Sequence, residues 1–286
     1  MAPLPPAPAP LTRPNVENGR REARTDHFLM CPPTHFAVTY AINPWMDPRR
    51  PVDRDRAIRQ WTGLRAAYEA LGHTVEVVAP EPGLPDMVYA ANSAFVLDGI
   101  ALLARFQHPQ RRGEEPAYAR WFAAHGFTVI QPDHVHEGEG DLVLAGDTIL
   151  AGSGFRTDPA AHREVARIFD REVVGLELVD PRFYHLDTAL FALGPDQVAY
   201  FPGAFSPASR RVLRARYPDA VVADEADARA FGLNAICDGR HVFLPAPAEG
   251  MAKRLDDAGW VPLPIDLSEL LRGGGSVKCC TLELRR

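Results

Sequence analysis

From Phe28 onward the chain alternates two hydrophobic patterns. The first places apolar or small residues every three to four positions. Ala57, Ile58, Trp61, Leu64 and Tyr68 form one such stripe, which predicts a helix over residues 54–71. Gly72 stops it, and Thr74-Val75-Glu76-Val77-Val78 reads as a strand. This helix, stop and strand recur at residues 118–130, 160–178, 209–222 and 251–263, with Gly126, Pro218 and Gly259 among the stops. The second pattern is a pair of short apolar runs around a turn, as in Ala94-Phe95-Val96-Leu97 and Ile100-Ala101-Leu102-Leu103 about Asp98-Gly99. Pairs of this kind also fall at residues 142–150, 189–201 and 235–244 and predict hairpins.

The unit is therefore hairpin, helix, strand, repeated five times at a spacing of roughly 40 to 55 residues, a period typical of repeat architectures. Five such units predict an α/β fold closed radially, a five-bladed propeller of ββαβ-type units, in preference to an irregular α/β sandwich. Residues 1–26 are Pro- and Ala-rich and then charged, and lack the apolar core of a signal peptide. They read as a disordered extension, followed by one catalytic domain over residues 27–286.

Composition narrows the function. A net charge of −6 gives no basic footprint for nucleic acid, and no run of 18 apolar residues suggests a membrane span. Four cysteines, Cys31, Cys237, Cys279 and Cys280, are too few in 286 residues for a disulfide framework. They point to a reduced, cytoplasmic protein. No zinc-type ligand spacing appears, so no metal and no cofactor are expected.

The chemistry-bearing residues recur at the same place in each unit. They are Asn43, then Asp86 and Asn92, then Glu137, Glu139 and Asp141, then His185 and Asp187, then Asn234, and finally Cys279. A thiol paired with an imidazole suits nucleophilic catalysis. The carboxylates suit a cation. The run Gly273-Gly274-Gly275 ahead of Cys279 lets backbone approach a ligand closely. The alternation from Thr281 to Arg285 predicts a last strand, which would send Cys279 and Cys280 to opposite faces.

These motifs resemble the guanidine-modifying superfamily, the penteins, over nearly all of residues 28–286. The nearest likeness is to dimethylarginine dimethylaminohydrolases and cyanobacterial-type arginine dihydrolases. Pro85-Asp86-Met87-Val88-Tyr89-Ala90-Ala91-Asn92 resembles the family's substrate-recognition strand, and Arg111-Arg112-Gly113-Glu114 its basic turn. Glu137-Gly138-Glu139-Gly140-Asp141 resembles its acidic motif, Gly152-Ser153-Gly154-Phe155-Arg156-Thr157 its arginine segment, and His185-Leu186-Asp187-Thr188 its histidine motif.

The resemblance implies a metal-free reaction. Cys279 attacks the guanidinium carbon. His185 protonates the leaving amine and then activates water against a covalent thiouronium. Glu137 or Glu139, with Glu137 favoured, and Asp187 hold guanidinium N–H groups. Arg111 and Arg156 hold the substrate's carboxylate. Asn43, Asp86, Asn92, Asp141 and Asn234 complete the substrate site. The partner is a small arginine-type guanidine; a homo-oligomer stays open.

Two departures bear on the product. Citrulline-forming relatives carry Asp where Asn92 stands, and Asn43 with Asn92 resembles the dihydrolases that release ornithine. The acidic motif is also one residue longer than in dimethylargininases. Amidino transfer and binding without turnover are the other readings the resemblance leaves.

Overall fold

In the computed structural model, which describes residues 21–286, the repeat appears as five separate three-stranded sheets of mixed direction. The first joins β1 (His27–Met30) to β2 (Thr74–Val77) across helix α1 (Arg54–Ala70). The second holds β3 (Ala94–Leu97), β4 (Ile100–Leu103), helix α2 (Glu114–Ala124) and β5 (Thr128–Ile130). The third holds β6 (Leu142–Ala145), β7 (Thr148–Ser153), α3 (Pro159–Phe169) and β8 (Glu172–Glu177). The fourth holds β9 (Leu190–Gly194), β10 (Gln197–Tyr200), α4 (Pro207–Arg216) and β11 (Val221–Val222). After α5 (Glu225–Arg229) the fifth follows, with β12 (Ile236–Cys237), β13 (His241–Pro245), α6 (Glu249–Asp257) and β14 (Val261–Ile265). In each of the last four sheets an antiparallel hairpin receives a parallel third strand returning from the helix.

The first sheet lacks a hairpin partner of its own. The last strand, β15 (Leu282–Glu283), supplies it by pairing antiparallel with β1, Phe28 opposite Glu283 and Leu29 opposite Leu282. The final strand expected over residues 281–285 is thus confined to two residues. The chain just before it is a turn, with Cys280 N donating to Ser276 O at 3.0 Å and Thr281 N to Lys278 O at 2.9 Å. Cys279 and Cys280 therefore diverge because they occupy a helical turn, and not by strand alternation. Both are buried.

Burial follows position in the unit. The hairpin strand β3 is buried along its whole length, whereas the outer strand β2 is half exposed. Helix α1 buries Ala57, Trp61, Leu64 and Tyr68, residues of its apolar stripe, in one cluster with Phe28, Met30 and Phe243. Burying each large side chain contributes about 1.5–3 kcal/mol. The helix begins where Asp53 accepts a hydrogen bond from Arg56 N. Helix α2 starts earlier than its apolar period suggests, because Glu114 and Glu115 form a polar first turn.

Residues 1–20 of the expected extension lie outside the described residues. Residues 21–26 are tied down. Arg24 N donates to Asp238 O at 2.8 Å, the Arg24 guanidinium donates to Cys237 O at 2.9 Å, and Asp26 N donates to His73 Nδ1 at 3.0 Å.

Candidate active site

Short 3-10 turns precede the inner hairpins, and they carry the chemistry. Ala90–Ser93 precedes β3, Gly138–Gly140 precedes β6 and Leu186–Thr188 precedes β9. Asn92, Glu137, Asp141, His185 and Asp187 sit on or at the ends of these turns and are all buried. Asn234 and Cys279 stand just ahead of β12 and β15. Equivalent positions in repeated units thus bring together residues far apart in sequence.

Gly140 explains one of the family glycines. A Cβ there would stand 2.5 Å from Asn92 Nδ2 and 3.2 Å from His185 Cγ, so only glycine lets these two side chains close on the turn. Gly274, at φ 90°, packs directly on the Asn43 amide, where a Cβ would lie 2.7 Å from both Nδ2 and Oδ1.

The thiol of Cys279 lies between two side chains, Asp187 Oδ2 at 3.2 Å and Asn234 Nδ2 at 3.1 Å. Burial first, and then the Asp187 charge, push its pKa well above the ordinary thiol value. The resting group is a thiol that donates to Asp187. A cation entering the site would favour the thiolate. Burial also pushes Asp187 up to about 6, against the opposing charge of His185.

His185 Nε2 lies 2.7 Å from Glu137 Oε2, and Arg156 Nη1 donates to the same oxygen at 2.9 Å. Burial alone would raise the Glu137 carboxyl. Arg156 and the His185 hydrogen bond outweigh it and hold Glu137 well below the usual carboxylate range. Of the two candidate glutamates, Glu137 is therefore the one beside His185.

Glu139 requires a correction. It turns away from His185 into an ion cluster, bonded to Lys278 Nζ at 2.6 Å and to the Arg285 guanidinium, while Glu283 N donates to it at 3.1 Å. Lys278, Glu283 and Arg285 border a cavity of about 390 Å³ that Cys279, His185 and Asp187 do not line. Glu139→Gln is accordingly expected to leave KM for the substrate unchanged and to cost stability, on the order of 3 kcal/mol for breaking a buried pair. Paired denaturation and steady-state kinetics check this.

Other residues expected to bind substrate spend their polar atoms on the protein. Asp141 accepts from Leu186 N at 3.0 Å and Thr157 Oγ1 at 2.6 Å, so it holds the turn that carries His185 and Asp187. Asn43 donates to Gly273 O at 3.0 Å and accepts from Trp45 N at 2.9 Å. It pins its own loop to the glycine run before Cys279.

The two arginines are committed in the same way. Arg111 grips Glu114 through Nε and Nη2 at 2.9 and 2.8 Å, and donates to Asn92 Oδ1 at 2.7 Å and Asp86 O at 3.2 Å. Arg156 divides its donors between Glu137 and Ile42 O, the latter at 2.8 Å. In this conformation both arginines organise the site instead of presenting a free fork to a carboxylate. Asn234 also has no spare hydrogen-bonding capacity in its amide.

Four buried atoms of the set find no partner among the described residues: Asp86 Oδ1, Asn92 Nδ2, His185 Nδ1 and Asp187 Oδ1. Burial drives the Asp86 carboxyl up, and Arg111 and a 2.8 Å bond from Tyr40 oppose this.

Sequence reasoning missed Tyr40, Glu114, Thr157, Tyr184 and Lys278. Tyr184 stacks under the Arg156 guanidinium at 4.7 Å and donates to Gly274 O at 2.6 Å. Only Glu114 left a usable signal, an acidic residue three positions after Arg111 at a helix start.

A family model described as N,N dimethylarginine dimethylhydrolase, eukaryotic, matches residues 33–222. A dimethylarginine dimethylaminohydrolase of Mycobacterium tuberculosis is 54% identical over 265 residues, covering 93% of this chain and 88% of that protein. The bifunctional arginine dihydrolase/ornithine cyclodeaminase AgrE of Nostoc is 40% identical over 90% of this chain, which spans 37% of its length. Among solved structures, the N-terminal domain of the cyanobacterial arginine dihydrolase ArgZ, bound to substrate, superposes with a TM-score of 0.87. It is 37% identical, with 91% of this chain and 98% of that one covered. A dimethylarginine dimethylaminohydrolase adduct at 18% identity and a TM-score of 0.74 shares the fold. The chain belongs to the dimethylarginine dimethylaminohydrolase family and is a hydrolase acting on C–N bonds of guanidino groups.

Proposed function

We propose that the protein hydrolyses L-arginine or an Nω-methylated arginine to citrulline and an amine, with Cys279 as nucleophile. The observation that carries the reading is the buried sulfur seated between Asp187 and Asn234, with His185, paired to Glu137, on the turn that carries Asp187. Asp187 and Glu137 hold the guanidinium through charge-assisted hydrogen bonds. As the cation binds, Sγ releases its proton to solvent and the thiolate bonds to the guanidinium carbon. The C–N bond to the amine breaks as His185 delivers a proton to the departing nitrogen. His185 then takes a proton from water. The hydroxide adds to the thiouronium carbon, and as the C–S bond breaks the proton of the added hydroxyl passes to sulfur, leaving the ureido carbonyl and the thiol.

The five sheets are read as blades around one axis with this site at one mouth, within one catalytic domain over residues 27–286. A cytoplasmic setting fits the four unpaired cysteines. No helix among the described residues is long and apolar enough to cross a membrane.

One observation favours a second reading, arginine dihydrolase activity giving ornithine, carbon dioxide and ammonia. Arg111 occupies Asn92 Oδ1, so Asn92 offers the site its amide donor, Nδ2. A guanidinium is itself all donors, whereas the ureido oxygen of citrulline accepts. Mass spectrometry of products from arginine and asymmetric dimethylarginine separates the readings: citrulline supports the first and ornithine the second. No turnover of either substrate would overturn both.

Asp187 adds a pH prediction. Its folded pKa of about 6 lies above the unfolded value near 3.9. The folded state therefore binds this proton more tightly. The penalty for ionising Asp187 is absent below the unfolded value, and grows as pH rises through the folded one. Since the ionised form holds the cation, kcat/KM is expected to fall below about pH 6. Asp187→Asn should remove that acid limb, lower turnover at neutral pH and raise Tm there by on the order of a few degrees. An unchanged limb in the variant would assign it elsewhere.

A further inference from the structure

We propose that Asn234 is the hydrogen-bond donor that aims and stabilises the reacting sulfur of Cys279, and that it is not a ligand for substrate. This rests on the reading of Cys279 as nucleophile. Asn234 is fully buried, and its amide is completely used. Oδ1 accepts from Ser276 N at 3.1 Å and Cys279 N at 3.2 Å. Nδ2 donates to Asp187 O at 3.1 Å and to Cys279 Sγ at 3.1 Å. An amide has two acceptor positions and two donor hydrogens, so none remains for a substrate.

These partners also fix which way the amide faces. Two backbone N–H groups cannot face an NH2, and a backbone carbonyl cannot face Oδ1. One Nδ2 hydrogen therefore goes to Asp187 O, and the other is directed at the sulfur.

The arrangement answers a specific difficulty. Cys279 sits away from water beside a carboxylate, and both conditions oppose the thiolate. A hydrogen bond to an ionised acceptor is roughly twice as strong as a neutral one. The Asn234 donor thus gains strength as the proton leaves the sulfur. It also ties the sulfur to the turn through Ser276 N and Cys279 N, restricting the side chain to the direction facing Asp187. Asn234 links the two halves of the site, because the same amide holds the Asp187 backbone.

The test measures alkylation of Cys279 by iodoacetamide, located by peptide mass mapping, at fixed alkaline pH. Asn234→Ala removes the donor and the clamp. Asn234→Asp keeps the shape and the acceptor but replaces the donor with a charged acceptor. Alkylation is expected to slow about tenfold in Asn234→Ala, the effect of one pKa unit, and further in Asn234→Asp. Rates within twofold of wild type in both folded variants would overturn the proposal.

A measurement on the unaltered protein stands beside it. The Asn234 side-chain amide proton should shift downfield as Cys279 ionises, and show no such step in Cys279→Ala. An unresponsive resonance would also refute the role. Should Cys279→Ser still turn over, the nucleophile reading fails, while the amide–sulfur titration remains separately measurable.

Discussion

Cys279→Ser is expected to lower turnover by at least about 10⁴-fold, while Cys280→Ala keeps kcat within a few-fold of wild type. Removing a nucleophile costs most of the chemical acceleration, because the remaining groups have no covalent intermediate to serve. Serine keeps the shape of the side chain but is far harder to ionise beside Asp187. Cys279 touches both Asp187 and Asn234, whereas Cys280 lies fully buried in the apolar cluster with Tyr68 and Phe243. Alanine at position 280 leaves a small cavity worth on the order of 1 kcal/mol. Rapid acid quenching followed by mass mapping should place the covalent adduct on Cys279. An adduct on Cys280, or full activity in Cys279→Ser, would refute the assignment.

The repeat was legible because its signals are local. Helix periodicity, glycine stops and hairpin turns each lie within one unit, and the helices and hairpins they predict are present. What escaped depends on distant partners or short length. The pairing of β15 with β1 joins the two ends of the domain, and no local pattern encodes it. Helix α5 has five residues and too little periodicity to show. Its reciprocal capping by Asp224 and Asp227 was the available cue.

The site was legible as a set of positions, and less so as a set of roles. Glu137 and Glu139 are two residues apart in one acidic motif. A 3-10 turn, with Gly138 at φ 54°, sends the first to His185 and the second to Lys278. Sequence cannot distinguish them, because the difference lies in that backbone dihedral and in Lys278 and Arg285 at the far end of the chain. Asp141, Asn43 and Arg111 look like ligands for the same reason. Each is a polar residue at a conspicuous motif, Asp141 and Arg111 buried and Asn43 half-buried, yet each satisfies backbone or side-chain groups of the protein. Buried polar groups must be paired, and a motif does not say with what.

Asn92→Asp is expected to shift products from ornithine towards citrulline, if the unaltered protein performs both hydrolyses. Asn92 Oδ1 already accepts from Arg111 Nη1 at 2.7 Å. An aspartate in this place keeps that bond and gains the arginine's charge. Its second oxygen then replaces Nδ2, the atom that finds no partner among the described residues and lies beside Gly140. The site exchanges a donor for a charged acceptor at one point. The guanidinium of arginine gains a charge-assisted hydrogen bond, worth about 1.5–3 kcal/mol, or roughly ten- to a hundredfold in affinity. The ureido oxygen of citrulline loses a donor and meets a negative charge. The first hydrolysis should therefore persist with a lower KM for arginine, while the second slows by a comparable factor. Quantifying citrulline and ornithine over time in both proteins reads this directly. An unchanged product ratio in the variant would remove Asn92 from the choice of product. A wild type that already stops at citrulline would leave the dimethylargininase reading alone, and the free amide of Asn92 would then face water or a methyl-bearing nitrogen instead of a second substrate.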